Sequence, residues 1–424
     1  MKKENGITLI ALIITIIILI ILAAVSIRAA YNSGIIDYGV NGTKRYQEEA
    51  NKEESILSET EDFMKSVLAK IENLSNNNLN ENNTNEDDST TGDDLVTEDG
   101  LPCTTGTHPY LPSDDFEKVE GTDLTTGLVI EDKSQNGYGN QFVWVEVPND
   151  GTGPNYSSVT NEEDTEHIAA ALIDYVSIYR EEGYTDTYYE GCGISSQSAY
   201  EELYAEMLTS IYTNGGFWIG RYETGISQTD EYGFRTQAFY TTLQTPVVIK
   251  DAYPYTLVTV SQAQVLASGI NSGNYTSSLL FGIQYDLVIK HLEIKGNWDT
   301  TGGYTAIDYL KRNTSWTPAN HGPGSTGWGN YEDSEFTITS ENAKRRVSNT
   351  SWIGRNDSGW SDIKVADSRT LLTTGANEER NSKMNIVDLA GNVWEWILEY
   401  ADPQYPCNVR GGSVCDERVD LYTF

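Results

Sequence analysis

From Ile7 to Ile27 the chain carries neither charge nor proline, and about 20 residues at 1.5 Å each are enough to cross the roughly 30 Å hydrocarbon layer of a bilayer. The pattern predicts one transmembrane helix over residues 7–27. Lys2 and Lys3 precede it and favour a cytoplasmic N-terminus, so the chain after Arg28 is expected outside the cell. A second pattern follows: Ile56, Phe63, Val67, Ile71 and Leu74, with Leu57, Met64 and Leu68 beside them, recur among charged positions. That spacing predicts an amphipathic helix within residues 28–75, entered after the break at Asn41-Gly42. Residues 76–100 then hold eight acids, no basic residue and only Leu79, Leu95 and Val96 to bury. Nothing there offsets the entropy of ordering, so a disordered acidic linker is expected.

Beyond Gly100 the texture changes to short aromatic or β-branched runs separated by Gly, Asn, Asp, Ser and Thr. Gln141 to Val147 and Gly216 to Tyr222 read as strands. Glu163 to Arg180 and Leu279 to Ile294 read as helices, the second with Leu280, Ile283, Leu287 and Leu292 near one face. Residues 101–424 are long enough for one large domain or two small ones.

With 28 basic and 63 acidic residues the net charge is −35, which argues against a nucleic-acid partner, because phosphate binding needs a basic footprint. It suits an extracellular setting rich in divalent cations. The chain holds 27 Tyr and 9 Trp, enough for a sizeable core. Cys103, Cys192, Cys407 and Cys415 are too scattered for a disulfide-dense scaffold or a metal knuckle. Cys407 and Cys415 are the pair closest in sequence and the candidate disulfide, with free buried thiols the alternative. His108, His167, His291 and His321 show no metal-pair spacing. The acids at Glu86-Asp87-Asp88 and Asp93-Asp94 are read as solvated rather than as a calcium site.

The polar leader Lys2-Lys3-Glu4-Asn5-Gly6, running directly into Ile7-Thr8-Leu9-Ile10, resembles the class III signal of type IV prepilins. The resemblance implies a leader over residues 1–6, cleavage between Gly6 and Ile7, and a retained helix that acts as anchor and assembly spine with other pilin-like subunits. The chain departs from that family at Ala11, where pilins carry the Glu that meets a neighbouring subunit's N-terminus. A secretory signal ending at Ala23-Ala24-Val25-Ser26, or a plain uncleaved anchor, are the alternatives.

The run Asn385-Ile386-Val387-Asp388-Leu389-Ala390-Gly391-Asn392-Val393-Trp394-Glu395-Trp396 flanks a Gly-Asn turn with two carboxylates that can converge on a hard cation. Trp394 and Trp396 are expected to alternate in a strand and cement the core beneath. Together with Val409-Arg410-Gly411-Gly412-Ser413, this run resembles the signature of the formylglycine-generating enzyme, or sulfatase-modifying factor, family. Phe142-Val143-Trp144-Val145, Phe217 to Glu223, Val258 to Ala263 and Trp328 to Tyr331 resemble further segments of that family in order, and Gly282 to Asp286 stands where the family usually has a Thr-Glu-x-Glu-Trp motif. The expected fold class is therefore α+β: an N-terminal transmembrane, pilin-like helix followed by a loop-rich formylglycine-generating-enzyme-like, C-type-lectin-like domain. The resemblance implies a calcium ion held by the side chains of Asp388 and Glu395 and the carbonyls of Gly391 and Val393. Catalytic members of the family hold copper between two cysteines spaced five apart. Here Cys415 is present and Asp420 stands five residues on, so copper is not expected. Family members also continue well past Arg-Gly-Gly-Ser, so the domain at 101–424 is expected to be shortened at its C-terminus.

The function expected from these features is a noncatalytic binding protein at the cell membrane, a single-pass anchor displaying an extracellular domain to a protein or glycan ligand. Two alternatives remain: an exported formylglycine-generating-type oxidase or maturation enzyme, with Cys415 as its candidate catalytic residue, and a minor pilin of a type IV pilus-like assembly.

Overall fold

In the computed structural model, which describes residues 95–134, 139–180, 183–227, 244–270, 275–310, 324–347, 351–401 and 407–415, the aromatic and valine-rich runs form the largest sheet. Its strands β1 (Phe116–Lys118), β2 (Val129–Asp132), β3 (Gln141–Glu146) and β4 (Gly216–Gly220) lie in sequence order and pair antiparallel throughout. Trp144 stands opposite Trp218, and Val143 opposite Ile219. Alternation along a strand sends neighbouring side chains to opposite faces. Val143 and Val145 accordingly join Val129, Phe217 and Ile219 in the main core, while Phe142 packs with Phe116, Ile130 and Trp218. A loop preceding β1 closes that second face. Its Leu101 is buried there, and Thr107 Oγ1 accepts the Trp144 indole N–H at 2.9 Å. Leu95–Gly100, at the end of the expected linker, belong to a turn in which Cys103 N–H donates to Leu95 O and Thr97 N–H to Leu101 O.

Helix α1 (Thr165–Val176) buries Ile168, Leu172 and Val176, one stripe at a spacing of four. Helix α2 (Gln197–Asn214) is capped by Ser196, whose Oγ accepts the Ala199 N–H at 3.2 Å. It ends at Gly215, where φ is 67° and an added Cβ would overlap the Gly106 carbonyl. Helix α3 (Val260–Ser268) begins with a reciprocal capping box between Thr259 and Gln262. Helix α4 (Gly282–Lys295) is enclosed on every side: residues 282–289, 291 and 292 are all buried.

An all-round buried helix must also satisfy its polar groups. Asp186 accepts the N–H groups of Gly282 and Ile283 at 2.8 and 3.1 Å. Asp286, fully buried, receives Arg180 Nε at 2.6 Å and the Tyr184 hydroxyl at 2.7 Å on Oδ2, and pairs with Arg410 Nη2 at 3.4 Å. Arg180 also forks onto Glu399. Near the other end, His291 Nδ1 accepts the backbone N–H of Glu146 at 3.2 Å. Burial pushes the His291 imidazole down to about 4.

The rest of the chain forms small antiparallel pairs: β5 (Gly225–Ile226) with β6 (Tyr253–Pro254), and β7 (Phe336–Thr337) with β10 (Ile363–Lys364). β8 (Lys344–Val347) lies between β9 (Ile353–Gly354) and β11 (Thr370–Leu372). β12 (Ser382–Lys383) pairs with β13 (Ile386–Val387), and β14 (Glu395–Ile397) with β15 (Asn408–Arg410). Short helices α5 (Ala306–Leu310) and α6 (Glu378–Asn381) complete the elements named here. The buried ammonium of Lys364 donates to the carbonyls of Tyr331, Glu332 and Ser334, so one lysine occupies a carbonyl cage in the loop before β7.

The expected fold class requires correction. Among the described residues no helix is long and apolar enough to cross a membrane. The 14 residues of α4 cover about 21 Å, short of the roughly 30 Å needed, and α2 carries Glu201, Glu202 and Glu206. What the described residues show is a mixture of small sheets and helices, none of them membrane-spanning. The leader at 1–6 with Gly6 and Ile7, the apolar segment 7–27, the helix at 28–75 and the linker as far as residue 94 lie outside the described residues.

Two predictions follow from buried polar groups. Lys364→Met leaves three carbonyls unanswered and should cost about 3 kcal/mol or more in urea unfolding at pH 7. For His291, the unfolded imidazole takes up a proton near pH 6.5, whereas the folded one does not until about pH 4. The unfolded state therefore binds more protons in that window, and stability worth roughly 3 kcal/mol is lost as pH falls through it. Against the parent chain, His291→Gln should show a flatter stability profile between pH 6.5 and 4.

Candidate ligand-binding cleft

The expected signature run folds around one side chain. Asn392, buried and with φ 59°, uses its whole amide. Its Nδ2 donates to Glu223 Oε2 at 2.6 Å and to Leu372 O at 3.2 Å, and its Oδ1 accepts from Leu372 N–H at 3.1 Å and Asn330 Nδ2 at 3.0 Å. A short polar side chain that tolerates the left-handed region suits this turn. Preceding it, Gly391 has φ 79° and sits so close to Asn330 that a Cβ would strike the Asn330 backbone. Gly391 N–H donates to Gly411 O at 2.8 Å, which ties the turn to the Arg-Gly-Gly-Ser segment.

Three carboxylates gather near this turn. Glu223, three residues past β4, accepts from Asn392 and from Val393 N–H at 3.1 Å. Burial, then the Asp388 charge, raises its carboxyl well above the usual range. Asp388 accepts the Gly375 N–H at 2.6 Å and Asn381 Nδ2 at 3.4 Å, and burial raises it to about 6. Glu395 differs from both. Its two oxygens are sealed from solvent with no hydrogen-bond partner. Burial followed by the charges of Glu223 and Asp388 raises it well above the carboxylate range. Gly411, with φ 83°, lies against this carboxylate, and a Cβ there would collide with it.

The four residues expected to hold calcium thus play different parts. Asp388 accepts one hydrogen bond on each oxygen and so ties the 375–381 segment to the turn. The N–H groups of Gly391 and Val393, distinct from the carbonyls expected to face calcium, donate to Gly411 O and Glu223 Oε1 and build the turn. Glu395 has unused oxygen lone pairs and fits a cation. Among the described residues no group of three or more His, Cys, Asp or Glu side chains is arranged to hold a metal. Cys407 and Cys415, the candidate disulfide, are both free thiols, as are Cys103 and Cys192. Cys407 packs against the main core and burial pushes its thiol up, whereas Cys415 is exposed.

Glu223 and Glu395 line a cleft of about 520 Å³ bounded by β4, α2, α3, β14 and the loop entering α4. Its walls include Phe142, Trp218, Tyr255, Tyr275, Trp394 and Trp396. The expectation that both signature tryptophans cement the core is corrected here. Trp394 is 53% exposed, and Trp396 is half-buried with its indole N–H donating to Val258 O at 3.1 Å. They border the cleft because β14 lies at the surface, paired only with β15 in its sheet.

Compared with protein-family models, curated proteins and solved structures, the chain matches none. Sequence reasoning missed Glu223 and Asn330 as site residues; their partners lie far along the chain. An acid placed directly after the aromatic β4 run was the available signal for Glu223.

Glu395 holds its proton more tightly in the folded than in the unfolded chain, so the parent loses stability as pH rises above the ordinary glutamate range, and an isosteric amide removes that loss without changing volume. Glu395→Gln should therefore stabilise the ligand-free chain by roughly 1–3 kcal/mol at pH 7, measured by urea unfolding.

Proposed function

We propose that this chain is a noncatalytic binding protein that presents the aromatic cleft to a protein or glycan ligand outside the cell. The observation that carries the reading is the cleft's wall: aromatic rings, with Trp394 half in solvent, surround a cavity of about 520 Å³. Flat rings offer large contact area at low cost in side-chain entropy, and they stack on the apolar faces of sugars or side chains. The similarity of Asn385–Trp396 and Val409–Ser413 to the sulfatase-modifying factor signature supports the reading as well, since this chain departs from the catalytic pattern at Asp420. An acidic composition and a leader-like N-terminal pattern support export.

The test is an array of neutral oligosaccharides and short peptides probed with the full-length chain and with Trp394→Ala. At a half-exposed position the substitution should change stability by no more than about 0.5 kcal/mol while reducing retention at least tenfold. Equal retention by both proteins would remove the cleft as the binding surface.

A further inference from the structure

The cleft is chemically one-sided. Among its described lining residues the charged ones are Glu206, Glu223 and Glu395, and none is Lys, Arg or His. Two polar groups on its lining are buried and have no partner: the Glu395 carboxylate oxygens and the hydroxyl of Tyr285, itself fully buried. The two groups are electrostatic neighbours, since the Glu395 charge helps raise the Tyr285 phenol; behind the lining, the Arg410 guanidinium lies 5.3 Å from the Tyr285 ring centroid and lowers the phenol. Buried polar atoms are almost always answered in proteins, and an unanswered carboxylate is among the costliest exceptions.

A carboxyl so raised is answered by its own proton or by a cation that displaces that proton, and the surroundings decide which kind of cation. Calcium takes six to eight oxygen ligands. Here Glu223 and Asp388 lie close enough to raise Glu395, but among the described residues no group of three such side chains is arranged to hold a metal, and the rest of the cleft lining is mostly aromatic and aliphatic. A cation with an apolar body suits that environment. An alkylammonium group is drawn to aromatic faces through the ring quadrupole and covers apolar surface with its methylenes or methyls.

We propose that the cleft recognises an alkylammonium group, with the Glu395 carboxylate as its counter-charge, Tyr285 beside it and the tryptophan wall around its carbon body. The inference rests on the cleft being the binding site, and it names the ligand chemistry. Two sources carry that group, a quaternary amine such as choline and the side chain of lysine in a peptide. A neutral molecule of the same shape leaves the carboxylate unanswered and binds poorly.

The experiment titrates the full-length chain, followed by intrinsic tryptophan fluorescence and by melting temperature. The probes are choline, its uncharged isostere 3,3-dimethylbutanol, Nα-acetyl-lysine methylamide, the matching norleucine amide, chitopentaose and calcium chloride. The expected result is that at least one ammonium probe binds at least tenfold more tightly than its neutral isostere. That preference should vanish in Glu395→Gln and weaken in Tyr285→Phe. Tighter choline binding assigns a quaternary amine, and tighter lysine-amide binding assigns a peptide. Equal binding of charged and neutral isosteres overturns the inference, as does a response to calcium alone. Binding of chitopentaose without either ammonium probe overturns it while leaving the cleft as a binding site; no response to any probe counts against both.

Discussion

Helix α4 can be buried on every side only because Asp286, one turn in from its start, is neutralised from two directions. Arg180, just past α1, and Arg410, at the end of β15, both reach it, and Glu399 balances the second positive charge. Removing one partner from such a cluster leaves an uncompensated charge in the interior. The cluster therefore sets more than local geometry: it joins the end of α1, the start of α4 and the β14–β15 hairpin, whose neighbouring turn shapes the cleft.

The cleft illustrates a different use of charge. Around α4 each described acid faces a base or a helix N-terminus, whereas around Asn392 the carboxylates face one another. Glu223 and Asp388 are held by neutral donors, which reduces their cost without cancelling their fields, and Glu395 has neither remedy. Such an arrangement lowers stability in the ligand-free state and biases the site towards positive charge. Proteins tolerate unfavourable local energetics where binding requires them.

The sequence pattern was enough to locate the strands at Gln141–Glu146 and Gly216–Gly220 and the helices that became α1 and α4: aromatic and β-branched runs mark the strands, Ile168, Leu172 and Val176 recur every four residues in α1, and Ile283, Leu287 and Leu292 recur at near-helical spacing in α4, whose other sides are buried as well. Helix α2 escaped notice. Its buried set, Tyr200, Leu208 and Ile211, is sparse, and Glu and Ser fill the spaces between. In the site, the importance of the Asp388–Glu395 run was legible but the roles were not. That Asp388 ties the turn to Gly375 and Asn381 depends on how the 375–381 segment folds back onto it, which its own neighbours in sequence do not show. Glu223 owes its part to Asn392, 169 residues away, a relation that no local pattern carries. The clearest difference from the expected fold class is that no helix among the described residues is long and apolar enough to span a membrane.

The ion cluster on α4 also bears on how the chain is made. Arg180 must find Asp286 across 106 residues and Glu399 across 219, and Arg410 lies later still. Contacts so distant in sequence close late, after their loop entropy has been met by other interactions. During synthesis α4 therefore emerges well before the residues that complete its burial. Its apolar sides stay available to wrong partners in that interval, and a chain interrupted before residue 410 retains the helix without its full set of counter-charges.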